Sequence, residues 1–159
     1  NDNDPMDDQS HGTHVAGIAA AFPTDSSLRV AGVCPRCRLL PAKVIGADGS
    51  GTIANVAKGI TYAADQGAQV INLSLGVTIV IDNTLLNAVN YAWEQKNAVV
   101  VAGAGNNGDT TQLYPAAYPN AMAVAATTED DARACFSNYG DGYISVAAPG
   151  TASLAEVRG

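Results

Sequence analysis

From Thr52 onward the chain alternates two apolar periods, and this alternation restricts the possible folds more than any other feature. Ile53, Val56, Ala57, Ile60, Ala63 and Ala64 recur at three- and four-residue spacing and stop at Gly67, which predicts an amphipathic helix closed by a glycine. Val70 to Leu75 then reads as a short strand. Leu85, Leu86, Ala88, Val89, Ala92 and Trp93 mark a second amphipathic helix, and Ala98 to Ala102 reads as an apolar strand buried on both faces. Ala121 to Ala126 and Tyr143 to Ala147 supply further strands. Strands joined by helical crossovers pair in parallel, and the helices must cover the sheet. The expected fold class is therefore α/β, a three-layer, mostly parallel sheet with helices on both faces. Ligands of such sheets bind beyond the carboxyl ends of the strands.

The first third of the chain is less periodic. Ser10 reads as the cap of a short buried helix that begins at His11 and is stopped by Pro23, and Leu39 to Ile45 reads as a strand ending at Gly46. A length of 159 residues fits a single domain over 1–159, and 47% apolar with only 14% charged residues gives it enough to bury. With 8 Lys and Arg against 15 Asp and Glu, and no basic cluster, nucleic-acid binding is set aside. No apolar run approaches the ~20 residues that span a bilayer. The opening Asn1-Asp2-Asn3-Asp4 lacks the charged leader and apolar segment of a signal peptide, and Glu156 to Gly159 is an equally abrupt end, so a piece incomplete at both ends is expected.

The segments after the strands are rich in glycine: Asp48-Gly49-Ser50-Gly51, Ser74-Leu75-Gly76 and Gly103-Ala104-Gly105-Asn106-Asn107-Gly108. Bare glycine leaves backbone groups open to a phosphate or to an extended peptide. No Gly-x-Gly-x-x-Gly follows the first strand and no Gly-Lys-Ser/Thr ends a loop, which favours the peptide.

Together with HGTHVAGIAAA, these loops form an ordered set with LLPAKVIGADGSG, GITYAADQGAQVINLSLG, VVVAGAGNNG, YPNAMAVAA and FSNYG…VAAPG. In that order the segments resemble the subtilisin-like serine proteases, in their thermitase-like branch, along nearly the whole chain. The resemblance implies an extracellular, bacterial-type serine endopeptidase that hydrolyses peptide and ester bonds through an acyl-enzyme, with no organic cofactor. It makes His11 the general base, Asn106 the side-chain donor to the oxyanion, and Gly49, Ser50, Gly51, Ser74, Leu75 and Gly76 the backbones flanking a substrate strand. Ala102, Gly103 and Ala104 match a wall of the primary specificity pocket, and Tyr114-Pro115 a cis peptide. His14 is read as structural, because no third ligand makes a zinc site of His11 and His14. Without the resemblance, Asn106 is a plain turn asparagine.

The family's triad runs Asp, His, Ser, and neither an Asp-x-Gly strand before His11 nor a Gly-Thr-Ser-Met-Ala segment after Gly150 is present. Two stand-ins are available: Ser153, in Gly-Thr-Ala-Ser-Leu-Ala, for the nucleophile, and Asp8 (or Asp7) to orient His11. The alternative function is a truncated non-proteolytic remnant with weak esterase activity or peptide binding only. A missing central strand also predicts a homo-oligomer or a complementary segment as partner. The resemblance extends to calcium at Asp2, Asp4 and Gln9, with a second region around Asp25. Cys34 and Cys37 are read as a local disulfide and Cys135 as a buried small residue, consistent with an oxidising compartment.

Overall fold

A computed structural model describes residues 6–23, 31–78 and 83–151. Of the candidates above, Asp2, Asp4, Asp25 and Ser153 lie outside the described residues. The described residues fall into two compact units, one from Asn1–Thr52 and the other from Ile53–Ala152. No helix among them is long and apolar enough to cross a membrane.

The first unit contains α1 (His11–Ala20). Ser10 sits at its N-cap, but with φ 73° and no side-chain cap bond, so the capping expectation is corrected. Asp7 does the work instead: its carboxylate accepts from the backbone N–H of Thr13 at 2.6 Å, the Thr13 hydroxyl at 2.9 Å, Gln9 N–H at 2.9 Å and Ser10 N–H at 3.0 Å. A carboxylate at a helix N-terminus satisfies orphan donors and faces the positive end of the dipole. At the other end the chain returns, and the N–H groups of Gly32, Val33 and Cys34 bond the carbonyls of Ala21, Ile18 and Ala19, each at 2.9 Å. A Cβ on Gly32 would lie 2.5 Å from Ala20 N and Ala21 N, so only glycine permits this return. Cys34 and Cys37 are joined by a disulfide, as expected.

Two other expectations fail in this unit. α1 has no buried residue, and Leu39 to Ile45 forms no strand. A strand exists only where its backbone finds a ladder partner, and among the described residues this segment has none.

Asp7 also makes a test of the cap. The N–H of Gln9, then the backbone and hydroxyl of Thr13, hold its carboxyl down at about 2, below its ordinary 3.8. A depressed folded-state value means that the charged form stabilises the fold above the unfolded pKa and that this contribution disappears as pH falls through the folded one. Asp7→Asn should melt lower than the parent near neutral pH, and the two melting curves should converge as pH drops from about 4 to about 2. A gap that persists at the acid end would refute the assignment.

The second unit runs α2 (Ile53–Asp65), β1 (Val70–Leu73), α3 (Thr84–Asn90) with a π-helical turn Tyr91–Gln95, β2 (Val99–Gly103), β3 (Ala121–Thr127) and β4 (Val146–Pro149). The strands form one parallel sheet in the order β1-β2-β3-β4. α2 packs against α3, and its buried face is Val56, Ala57, Ile60, Ala63 and Ala64, five of the six positions that the spacing picked out, with the sixth, Ile53, half-buried. Its end is a Schellman arrangement: Ala68 N–H bonds Ala63 O at 3.0 Å and Gly67 N–H bonds Ala64 O at 3.1 Å, with Gly67 at φ 79°.

Register places Leu73, Ala102 and Ala123 in one row across the sheet, and all three are buried. Their alternates Val70, Asn72 and Met122 are exposed and Val99 and Val101 half-buried, which corrects the reading of β2 as buried on both faces. Trp93 is also corrected. The π-helical turn inserts an extra residue into the helical repeat, so Ala92 is buried while Trp93 faces outward. The last strand begins at Val146, and Tyr143 is a buried side chain in the turn before it.

Candidate active site

The candidate residues divide between the two units. In the first, His11 is the exposed opening residue of α1, and no carboxylate among the described residues lies within ion-pair distance of it. Asp8 is held elsewhere, its carboxylate 2.6 Å from Lys43 Nζ. Asp7 is committed to the helix cap. His14 is half-buried on the same helix, and its N–H continues the helical bonding to Ser10 O at 3.0 Å.

The loop at Gly49 to Gly51 is shaped by its own side chains. Asp48 accepts from Ser50 N–H at 3.0 Å and from the Ser50 hydroxyl at 2.7 Å, while Gly46 N–H bonds Ser50 O at 2.8 Å. The Ser50 hydroxyl, with its N–H, draws the Asp48 carboxyl below its ordinary value. Gly49 has φ 76°, a conformation that favours glycine. Gln9 Nε2 would lie 3.1 Å from a Cβ on Gly49.

In the second unit, Ser74, Leu75 and Gly76 continue from β1, and Asn72 Nδ2 donates to Ser74 Oγ at 2.9 Å. The next residue, Val77, pairs antiparallel with Tyr114, with bonds of 2.9 Å in both directions. Among the described residues the backbones of Leu75 and Gly76 make no hydrogen bond, which leaves them open to an added strand. Ala102 and Ala104 are buried, whereas Gly103 between them is exposed, with nothing within 4 Å of an added Cβ. The peptide Tyr114-Pro115 is cis, as the resemblance implied.

Asn106 projects from the turn after β2 and is exposed, and its side chain has no hydrogen-bond partner among the described residues. Its flanks are held tightly. Ala104 N–H bonds Val124 O at 2.9 Å, and Gly105 O accepts from Asn138 N–H at 3.0 Å. Asn138 Oδ1 accepts from Asn107 N–H at 2.7 Å and Gly108 N–H at 3.1 Å, and its Nδ2 donates to Thr111 O at 2.8 Å. The Tyr143 hydroxyl donates to Ala104 O at 2.5 Å and accepts from Leu113 N–H at 3.0 Å. Burial pushes that phenol above its ordinary pKa, which keeps it a neutral donor.

Leu113 links the two loops of this unit. Its two methyls would lie 2.8 Å from a Cβ on Gly76 and 2.7 Å from one on Gly105, so Leu113 occupies the space that both glycines leave. Sequence reasoning missed Leu113, Asn138 and Tyr143. The only signal was Asn138 within the FSNYG segment, which carried no stated role.

Cys135 is exposed, not buried. Ser137 N–H bonds Ala134 O at 2.9 Å, and this turn leaves Ala134 and Ser137 inside and sends its central residues, Cys135 and Phe136, outward.

The turn after β2 is held at both flanks, and among the described residues the Asn106 amide and the backbones of Leu75 and Gly76 have no hydrogen-bond partner, which leaves chemistry of the kind that an extended peptide and an oxyanion on it require. The Subtilase family model matches residues 1–158. The chain belongs to the subtilase family. It is 51% identical over 159 residues to the thermophilic serine proteinase of Bacillus sp. (strain AK1), covering 100% of this chain and 39% of that protein. It is 53% identical over 151 residues to thermitase of Thermoactinomyces vulgaris, covering 95% and 53%. Among solved structures, S41 psychrophilic protease superposes with a TM-score of 0.83 at 38% identity, covering 96% of this chain and 56% of that one. Sphericase gives 0.82 at 34%, with 93% and 55% covered. This subtilase thus spans about half the length, or less, of the curated relatives it matches. Its fold class is the three-layer α/β, subtilisin-like one that the sequence implied.

Calcium needs six to eight oxygen ligands. Of its expected set only Gln9 is described, and among the described residues no three His, Cys, Asp or Glu side chains gather. The described residues by themselves do not make a calcium site.

Proposed function

We propose that this chain supplies the general base, the oxyanion donor and the substrate-flanking backbones of a single-domain, subtilisin-like serine endopeptidase acting outside the cell. The observation that carries this reading is Asn106, whose amide has no hydrogen-bond partner among the described residues, on a turn bonded at both flanks. In the reaction a nucleophile attacks the peptide carbonyl, His11 takes the nucleophile's proton and returns it to the leaving amine, and Asn106 donates to the oxygen that becomes negative. The acyl-enzyme is then hydrolysed by the reverse sequence with water. Gly49 to Gly51 and Ser74 to Gly76 bind the substrate as an added strand through backbone groups. The Cys34–Cys37 disulfide supports an oxidising compartment. Calcium at the acidic start, with Asp2, Asp4 and Gln9, is a structural role that rests on the family alone.

Within this chain the nucleophile's candidate is Ser153, and Asp8 is engaged with Lys43 and not with His11. Water is therefore the expected attacker of a small activated ester, because binding and oxyanion groups alone retain roughly 10³- to 10⁴-fold over water. The full 159-residue chain should hydrolyse such an ester slowly, lose that turnover in His11→Ala, show no phosphonate adduct at Ser153, and leave folded proteins undigested. Hydrolysis at the level of a heat-denatured sample, equal in parent and His11→Ala, would sink the proposal.

A further inference from the structure

We propose that Asn138 and Tyr143 are positioning residues that fix the oxyanion donor Asn106 from beneath, an inference that rests on the function assigned to Asn106. A donor aimed at developing charge accelerates a reaction only if it is already in place, since any reorganisation during the reaction is subtracted from the gain. Among the described residues the Asn106 side chain has no hydrogen bond to hold it, so its aim depends on the backbone that carries it. Within Ala104 to Gly108, every residue except Asn106 has a backbone group bonded to a strand or to the segment Phe136 to Tyr143.

Asn138 is completely buried and uses both ends of its amide: Oδ1 takes Asn107 and Gly108 N–H, and Nδ2 donates to Thr111 O. Its Nδ2 would lie 2.5 Å from a Cβ on Gly105, so the amide fills the space that this glycine leaves. Tyr143 grips the other side of the turn, joining Ala104 O to Leu113 N–H. The brace is itself anchored. The Ser137 hydroxyl accepts from Ala126 N–H in β3 at 2.8 Å and donates to Asn138 O at 3.1 Å, while Arg133 donates to Ser137 O at 2.8 Å. A polar brace whose members are all satisfied holds one geometry, whereas a partly satisfied one does not.

The test compares Asn138→Leu, Asn138→Asp and Tyr143→Phe in the full chain by amide hydrogen exchange and by ester turnover. Exchange at Asn107 should rise about tenfold or more in Asn138→Leu, at Leu113 in Tyr143→Phe, and at neither Val100 nor Ala123 in either variant. Asn138→Asp retains the acceptor for Asn107 and should exchange more slowly there than Asn138→Leu. Turnover should fall roughly 10²-fold in kcat with KM unchanged in Asn138→Leu, and adding Asn106→Ala should lower it little further. Unchanged exchange at Asn107, or losses from Asn138→Leu and Asn106→Ala that multiply in full, overturns the positioning role. Turnover indifferent to Asn106→Ala while Asn107 exchange still rises would overturn the oxyanion assignment, and the positioning role with it.

Discussion

Asn106→Ala should lower kcat for an activated ester by roughly 10²- to 10³-fold, about 2.7 to 4 kcal/mol of transition-state stabilisation, with KM nearly unchanged. The split follows from where the amide makes its bond. A ground-state carbonyl is neutral and planar, and the N–H meets its oxygen fully only when that oxygen is charged and tetrahedral. Asn106→Asp is the sharper variant, because it keeps the shape and replaces the donor with a negative charge facing another. It should be at least as impaired as the alanine variant near neutral pH. The turn carrying residue 106 is held by Asn138 and Tyr143 and not by the Asn106 side chain, so neither substitution should change the melting temperature appreciably. A fall in kcat accompanied by an equal loss of stability would assign Asn106 a structural role.

Ile60→Ala should cost about 2 to 5 kcal/mol of stability, the range for removing a large aliphatic side chain from a packed core. Ile60 is 1% exposed on the buried face of α2, which packs against α3. For a chain of this size each kcal/mol corresponds to roughly 2 to 4 °C in the midpoint. Lys58→Ala, on the exposed side of the same helix, should stay within about 0.5 kcal/mol of the parent. Equal melting of the two variants would show that the α2 face is not the core of this unit.

These residues also show what the amino-acid sequence discloses. The α2 face and its end at Gly67 were legible because both depend on local geometry: helical period selects Val56 and Ile60 for burial, and a left-handed C-terminal position selects glycine. Leu39 to Ile45 shows the limit, since its composition is that of a strand and the described structure gives it no ladder partner. Trp93 was misplaced because one π-helical turn breaks the period on which its assignment rested. At the start of α1, Ser10 and Asp7 are both acceptable capping residues, and only the path of the chain into the helix determines that Asp7 takes the N–H groups.

At the candidate site the division is the same. His11 and Asn106 stood out as candidates because each sits in a short motif whose order along the chain matches a family. Asn138, Tyr143 and Leu113 were not, because their role lies in contacts about thirty residues away that have no period and no motif: Asn138 to Asn107, Tyr143 to Leu113, Leu113 to Gly76. The sequence alone determined the parallel α/β class and the buried face of α2, since these follow from local spacing. Only the tertiary structure decided which side chain caps α1, which face of the sheet is buried and which residues hold Asn106 in place. Those outcomes depend on where distant backbone N–H and C=O groups come to lie, and every buried one must find a partner wherever the fold has brought it.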